Sequence, residues 1–379
     1  MTPICGNVRI RMKYQIAVVA GARPNFMKVA PILRELEKTS QLEPQLIHTG
    51  QHYDENLSDV FFEELGIRKP DVALSCSGTT HGQQTASILE QIEKVLLDRC
   101  FDAVIVVGDV NSTLAAALAA AKLKIKVAHV EAGLRSFDRT MPEEINRLAT
   151  DSISDVLLAS DPAAMLNLKN EGQAKDKCHL VGNVMIDTLK DNLHKAKNHT
   201  TLQRFNLQSG KYATVTLHRP SNVDDPAILK NLMNVLIQVS HQLPLIFPIH
   251  PRTKDRLNSA GLISKLEETP EITFSDPLGY LDLLCLNASA KFVITDSGGL
   301  QEETTALEVP CLTLRANTER PITVTEGTST LIGNDAELLS KEIHNVLSGD
   351  YKQGRCPKLW DGNAAKRIAN VMITSLDAD

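Results

Sequence analysis

The chain has 379 residues, 42% hydrophobic and 23% charged, the size and balance of two ordinary globular domains. Lys+Arg 40 against Asp+Glu 46 gives a net charge of -6, which argues against a dedicated nucleic-acid binder. Seven cysteines without a C-x-x-C argue against a disulfide frame or a zinc site, and no apolar run approaches the roughly 18 residues that span a bilayer.

The opening MTPICGNVRIRM has no apolar h-region, so no secretory signal is expected and the chain reads as cytoplasmic. The first predicted strand is Ile16 to Ala20; a turn over Gly21 to Pro24 leads into a helix carrying Val29, Ile32, Leu33 and Leu36. Gln45 to Thr49 reads as a second strand, and Ala86 to Leu97 as a helix with Ile88, Leu89, Ile92, Val95 and Leu96 on one face. The unbroken apolar run Ala103 to Val107 suits a strand buried on both faces. It stops at Gly108-Asp109, with Ser112 or Thr113 expected to cap the alanine-rich helix that follows. Strands at Ile125 to Val130 and Asp155 to Ala159 complete a first unit near Gly182.

The plan then restarts. Tyr212 to Leu217 is a strand ending in His218-Arg219-Pro220, Ile228 to Val239 a helix, and Leu245 to Ile249 a strand ending in His250-Pro251-Arg252. Phe292 to Thr295 runs into Asp296-Ser297-Gly298-Gly299, then a helix from about Gln301 and a strand over Pro310 to Leu314. The stretch from about Asn183 to Gln208, polar and helical in pattern, is the expected link between the two units. Strands alternating with helices predict an α/β protein with parallel sheets.

Arg23, Asp109, Glu131, His218, His250 and Ser297 each follow a predicted strand, and open parallel sheets bind ligands outside the carboxyl ends of their strands. Ser297-Gly298-Gly299 lets a phosphate approach the backbone at a helix N-terminus, with Arg315 and Arg320 able to complete charge neutralisation. Glu303, one turn into that helix, suits ribose hydroxyls. Arg23 and Lys28 make a second cationic turn at a helix that Pro24 starts. Neither turn is G-x-G-x-x-G, and no G-x-x-x-x-G-K-[ST] occurs, so any sugar chemistry here proceeds without hydride transfer. Asp109, Glu131 and the Glu143-Glu144 pair are carboxylates suited to acid–base work, with His218 as a proton carrier or phosphate donor from the facing unit. His48 and His129 read as structural. One histidine and one acid in Gln51-His52-Tyr53-Asp54 are too few for a metal site, and no metal or cofactor is expected.

The motifs GARPNFMK (21–28), HTGQHYD (48–54), GDVNST (108–113), HVEAGLRSFDRTMPEEINR (129–147), HRPSN (218–222), TDSGGLQEE (295–303) and TERP (318–321) together resemble the non-hydrolysing UDP-N-acetylglucosamine 2-epimerase family. The resemblance implies two Rossmann-like domains facing a cleft, the glycosyltransferase B-type fold, with residues 13–182 and a terminal helix over 362–379 in one and 183–361 in the other. It implies inversion at C2 of UDP-N-acetylglucosamine by elimination and re-addition of UDP, no cofactor, and a homodimer. By position it makes Asp109, Glu131 and Glu143 the catalytic carboxylates, aided by His218. Arg23, Lys28, His52, Ser297, Gly298, Gly299, Glu303, Arg315 and Arg320 become substrate contacts, while Arg135 and Arg147 orient the acids. Asp54 and Arg252 depart from residues that bind a second, activating substrate in many bacterial relatives, which argues against such activation here. The motifs also allow two alternatives, a 2-epimerase of a UDP-2,3-diacetamido-uronic acid and a hydrolysing epimerase releasing N-acetylmannosamine. Thr318-Glu319-Arg320 favours UDP-N-acetylglucosamine.

Overall fold

A computed structural model describes residues 13–21, 23–50 and 65–378, with Arg23 and Pro24 as backbone only. Thirteen strands form two sheets with all pairings parallel among these residues. The first sheet holds β1 (Tyr14–Ala20), β2 (Leu42–His48), β3 (Val72–Ala73), β4 (Ala103–Val107), β5 (Lys126–Val130), β6 (Val156–Ala159) and β7 (Cys178–Leu180), in the order β3-β2-β1-β4-β5-β6-β7. The second holds β8 (Ala213–Thr216), β9 (Leu245–Pro248), β10 (Ile272–Ser275), β11 (Phe292–Thr295), β12 (Cys311–Thr313) and β13 (Ser329–Leu331), in the order β10-β9-β8-β11-β12-β13.

Both orders reverse direction once, between β1 and β4 and between β8 and β11. At such a switch point the two adjoining loops leave on opposite faces and open a crevice. Register there is fixed by packing: Val18 of β1 lies opposite Ile105 of β4, both fully buried. In the second sheet Thr216 lies opposite Thr295, with their hydroxyls 2.7 Å apart.

Helices cover the sheets: α1 (Arg23–Lys38), α2 (His81–Asp98), α3 (Asn111–Lys122), α4 (Pro142–Ile153), α5 (Pro162–Asn170), α6 (Val184–Lys197), α7 (Pro226–Ser240), α8 (Tyr280–Ser289), α9 (Gly298–Ala306), α10 (Ala336–Ser348) and α11 (Ala364–Asp377). The Thr80 hydroxyl caps α2, whose Ile88, Ile92 and Leu96 are buried at the four-residue spacing. The alanines of α3 let it lie close against α2. Capping of α3 differs from expectation. Ser112 and Thr113 sit inside the first turn, Val110 takes the cap position without a side-chain bond, and the Thr113 hydroxyl donates instead to the Val107 carbonyl at 2.8 Å. Similarly, α9 starts at Gly298, ahead of the expected Gln301.

The expected link is helical over Val184–Lys197, as its pattern implies, but its first turns are buried where its polarity implies exposure. Val184, Met185, Ile186, Asp187, Thr188 and Leu189 of α6 are all buried, and α6 packs on α1 as well as on α8 and α9. Its polar groups are satisfied over long range. Thr188 donates to the Met27 carbonyl, and Asp187 accepts from Ala364 N at 3.1 Å and Ala365 N at 2.7 Å, capping α11. That last helix packs on α1, so Ile368 and Met372 share one core with Ile16, Val18 and Leu36, and with Tyr280 and Leu284 of α8. A second core gathers Val215, Leu236, Phe247, Ile294 and Leu339. Among the described residues, no helix is long and apolar enough to cross a membrane.

Candidate active site

On the first sheet, the chain turns sharply after β4 and after β5. Gly108 has φ +73°, and a Cβ there would stand 3.3 Å from Lys28 Nζ and 3.5 Å from both Asn25 Nδ2 and Glu131 Oε2. The left-handed backbone favours glycine here, and its missing Cβ leaves room for these three polar groups. Glu131 itself takes a left-handed φ of 72°, uncommon for a residue with a side chain and a conformation that clusters at functional sites. Its carboxylate is buried in an ion pair with Lys28. Burial works against the charge of Glu131, but Lys28 and Arg320 outweigh it and hold the pKa below the usual carboxylate value.

Helix α4 serves Asp109 from the side. Arg147 pairs with the Asp109 carboxylate, and the Asn146 amide donates to the Asp109 carbonyl at 2.9 Å. Arg147 also reaches Glu144 at 2.6 Å, and Glu144 accepts from Ser136 N at 3.0 Å and Phe137 N at 2.9 Å. Burial opposes the charge on Glu144, yet these N–H groups and Arg147 bring its pKa down. Glu143, half-buried in the first turn of α4, has no hydrogen bond or ion pair among the described residues. The two adjacent glutamates therefore have different surroundings: Glu144 anchors the loop, and Glu143 is left without a partner.

On the second sheet, Asp296 ends β11 as a buried acceptor for His218 N at 3.0 Å, Arg219 N at 2.9 Å and Asn222 Nδ2 at 3.0 Å. It also pairs with His218 Nδ1 at 2.8 Å, which leaves the opposite ring nitrogen free of that contact. Gly298 opens α9, and a Cβ there would meet Arg320 Nη1 at 2.8 Å and Glu319 Oε1 at 3.0 Å. A side chain at Gly298 would thus displace the cation beside the helix N-terminus. Ser297 takes the cap position without a side-chain bond. Its backbone N donates to Thr295 Oγ1 at 3.0 Å, and Gly299 follows beside Met185. Arg315 pairs with Glu319 at 2.8 Å, and Arg320 pairs with Glu302 at 2.7 Å and with Glu319. Glu303 is only 5% exposed; burial and the charge of Glu302 push its pKa up to about 8, so it is neutral at pH 7.

The two sets of charges face each other. Arg320 is held in its charged form by Glu302 and Glu319 of its own half, and by Glu131 and Asp109 of the other. Several buried polar atoms here have neither a hydrogen bond nor an ion pair among the described residues: Glu131 Oε1, Glu302 Oε2 and Arg315 Nη1. Buried polar groups are nearly always bonded. Three unspent ones in one charge network are the kind of groups that a charged, hydrogen-bonding ligand can satisfy.

Of the residues singled out from sequence, the structure brings Lys28, Asp109, Glu131, Arg147, Gly298 and Arg320 into this network, with Arg315 joined to it through Glu319. Arg135 is turned elsewhere, paired with Asp151 at 2.6 Å and Glu171 at 2.6 Å. His129 is structural, bound to Asp151 at 2.6 Å and the Gly108 carbonyl at 2.8 Å. The Arg23 side chain, His52 and Asp54 lie outside the described residues. Sequence reasoning missed Asn146, Asn183, Arg219, Glu302 and Glu319. Arg219, beside His218, is the one a strand-end argument can find; burial and Arg315 lower its pKa, which places a third guanidinium near Arg315 and Arg320. Among the described residues no group of His, Cys, Asp and Glu is placed to hold a metal ion.

Two Rossmann-like halves meeting at such a cleft define a protein of the glycosyltransferase B type. The chain belongs to the UDP-N-acetylglucosamine 2-epimerase family, whose model matches residues 34–373. It is 44% identical over 370 residues to the UDP-N-acetylglucosamine 2-epimerase of Methanococcus maripaludis, covering 95% of this chain and 98% of that one. The UDP-2,3-diacetamido-2,3-dideoxy-D-glucuronate 2-epimerase of Pseudomonas aeruginosa is 40% identical over 361 residues, with 94% and 99% covered. The crystal structure of the Methanocaldococcus jannaschii UDP-GlcNAc 2-epimerase in complex with UDP-GlcNAc and UDP superposes with a TM-score of 0.84 at 44% identity, covering 95% of this chain and 99% of that chain.

Proposed function

We propose that the protein interconverts UDP-N-acetylglucosamine and UDP-N-acetylmannosamine without hydrolysis. A carboxylate removes the proton from C2, the C–H electron pair becomes the C1=C2 bond of 2-acetamidoglucal, and the C1–O bond breaks to release UDP. In the return step UDP oxygen attacks C1 while a proton reaches C2 from the opposite face. Atoms and electrons balance, so no hydride acceptor is needed. In this reading residues 13–182 with the terminal helix carry the acids, and residues 183–361 hold UDP. Gly298, Gly299 and the α9 N-terminus face the diphosphate with Arg315 and Arg320, Glu303 meets the ribose as a neutral carboxyl, and His218 stands by the leaving oxygen. Glu131, kept ionised by Lys28, suits the positive charge that develops at C1. Asp109 and Glu143 suit the proton transfers.

What supports this reading is that Glu131 and Asp109 of one half lie near enough to Arg320 of the other for their charges to act on it. An anchored anion there presents its sugar to acids of the other half. The test is incubation of the protein with UDP-N-acetylglucosamine in D2O, followed by NMR. UDP-N-acetylmannosamine carrying deuterium at C2 is the expected product, and free N-acetylmannosamine with UDP would replace this reading by hydrolysis. The 40% identity to the diacetamido-glucuronate 2-epimerase supports a second reading, in which the sugar is a UDP-2,3-diacetamido-uronic acid. Turnover of that substrate alone would establish it.

A further inference from the structure

Glu302 has no part in the chemistry above, yet it is 1% exposed and sits inside the charge network. Its Oε1 accepts from the Asn183 amide at 2.9 Å and lies 2.7 Å from Arg320 Nε. Its Oε2 is buried without a hydrogen-bond partner among the described residues. A half-satisfied buried carboxylate destabilises a fold. Burial and the charge of Glu131 push its pKa up to about 7, while Arg320 and Lys28 act in the other direction and favour the ionised form.

The geometry explains what this carboxylate does. Arg320 has two anionic neighbours, and Glu319 is the adjacent residue in the chain, already joined to Arg315 at 2.8 Å. With Glu319 as its single partner, the guanidinium would be held at Nη1 alone and free to turn about that contact. Glu302 holds the guanidinium at Nε from the side of α9, so that its plane is fixed at two points while Nη1, paired with Glu319, lies where a Gly298 side chain would be. Glu302 is fixed in turn by Asn183, whose own oxygen caps α6 through Met185 N at 2.9 Å. Because α6 packs on α1 and on α9, the Asn183 donor is placed relative to both halves at once.

We propose that Glu302, held by Asn183, is the positioning residue that aims Arg320 at the diphosphate above Gly298. This rests on the reading of the cleft as a UDP-sugar site. Its test is the affinity for UDP, measured by calorimetry on the whole protein and on Glu302→Gln, Arg320→Ala and the double variant. Removing a negative charge beside an anion site by itself tightens UDP. A positioning role has the opposite sign: Glu302→Gln weakens UDP about tenfold, and the loss disappears in the Arg320→Ala background because the two residues act as a unit. Tighter or unchanged binding in Glu302→Gln, or equal weakening in both backgrounds, would overturn the proposal. Asn183→Ser keeps an oxygen to cap α6 but loses the amide donor. Weaker UDP binding that depends on Arg320 supports the role, and unchanged affinity overturns it even if Glu302→Gln does not fold. A wild-type protein that binds no UDP overturns the function proposed above as well; UDP binding indifferent to Glu302→Gln overturns the positioning role alone.

Discussion

Lys28 and Glu131 stand 103 residues apart in the chain, one on the helix after β1 and the other just past β5, and form a buried ion pair. The pair joins the strand ends on either side of Gly108 and leaves one Glu131 oxygen without a partner among the described residues.

Breaking one side of this pair leaves an uncompensated charge. Lys28→Met is expected to destabilise the protein by about 3 kcal/mol, read from denaturant midpoints. The double variant Lys28→Met with Glu131→Gln recovers most of that stability, because neither charge is then stranded, and still fails to turn over substrate. Recovery of turnover in the double variant would remove Glu131 from the reaction.

Asp109 and Arg147 separate catalysis from stability. Asp109→Asn keeps an acceptor for Arg147 and leaves the UDP half untouched, so UDP affinity stays within about threefold while kcat falls at least about a hundredfold. Arg147→Met removes the cation from Asp109 and from Glu144, which keeps its bonds to Ser136 N and Phe137 N, and costs about 1–3 kcal/mol. An Asp109→Asn enzyme with wild-type kcat would exclude this carboxylate from proton transfer.

The neighbours Glu143 and Glu144 give opposite results when neutralised. Glu144→Gln weakens the bonds to Ser136 N, Phe137 N and Arg147, costing about 1–3 kcal/mol in thermal unfolding. Glu143→Gln leaves the melting temperature unchanged, since no bond is lost, and lowers kcat about a hundredfold or more. Exchanged phenotypes would move the catalytic role to Glu144.

Glu303 makes stability depend on pH with a defined sign. Its pKa rises from 4.5 to about 8 on folding, so across that window the native state keeps a proton that the unfolded chain has released. Stability from this group is complete below the lower value and falls as pH rises towards the upper. Glu303→Gln, always neutral, removes that slope. Its melting temperature relative to wild type should climb between pH 5 and 8, and parallel curves would show that Glu303 is already ionised at neutral pH.

Much of this architecture was legible because its signals are local. Ala103 to Val107 reads as a buried strand from five apolar residues alone, and the same five form β4. The strands β3, β7 and β13 went unread, because two or three residues that are mostly only half-buried carry too little apolar pattern. The α6 segment misled for another reason. A polar residue is read as exposed, but Asp187, Thr188 and Asn183 satisfy their polarity with Ala364, Met27 and Glu302, partners that lie more than a hundred residues away.

The amino-acid order by itself set the strand ends, the glycine turns and the acids and cations that follow them, because hydrophobic pattern and backbone sterics act over a few residues. Only the folded chain decided which charges meet: that Arg147 takes Glu144 and leaves Glu143 unpaired, that Arg135 turns to Asp151 and Glu171, and that Arg320 reaches Glu302 while facing the acids of the other half. Ionic attraction and desolvation depend on separation in space, and that separation is fixed when α6 and the two sheets pack together.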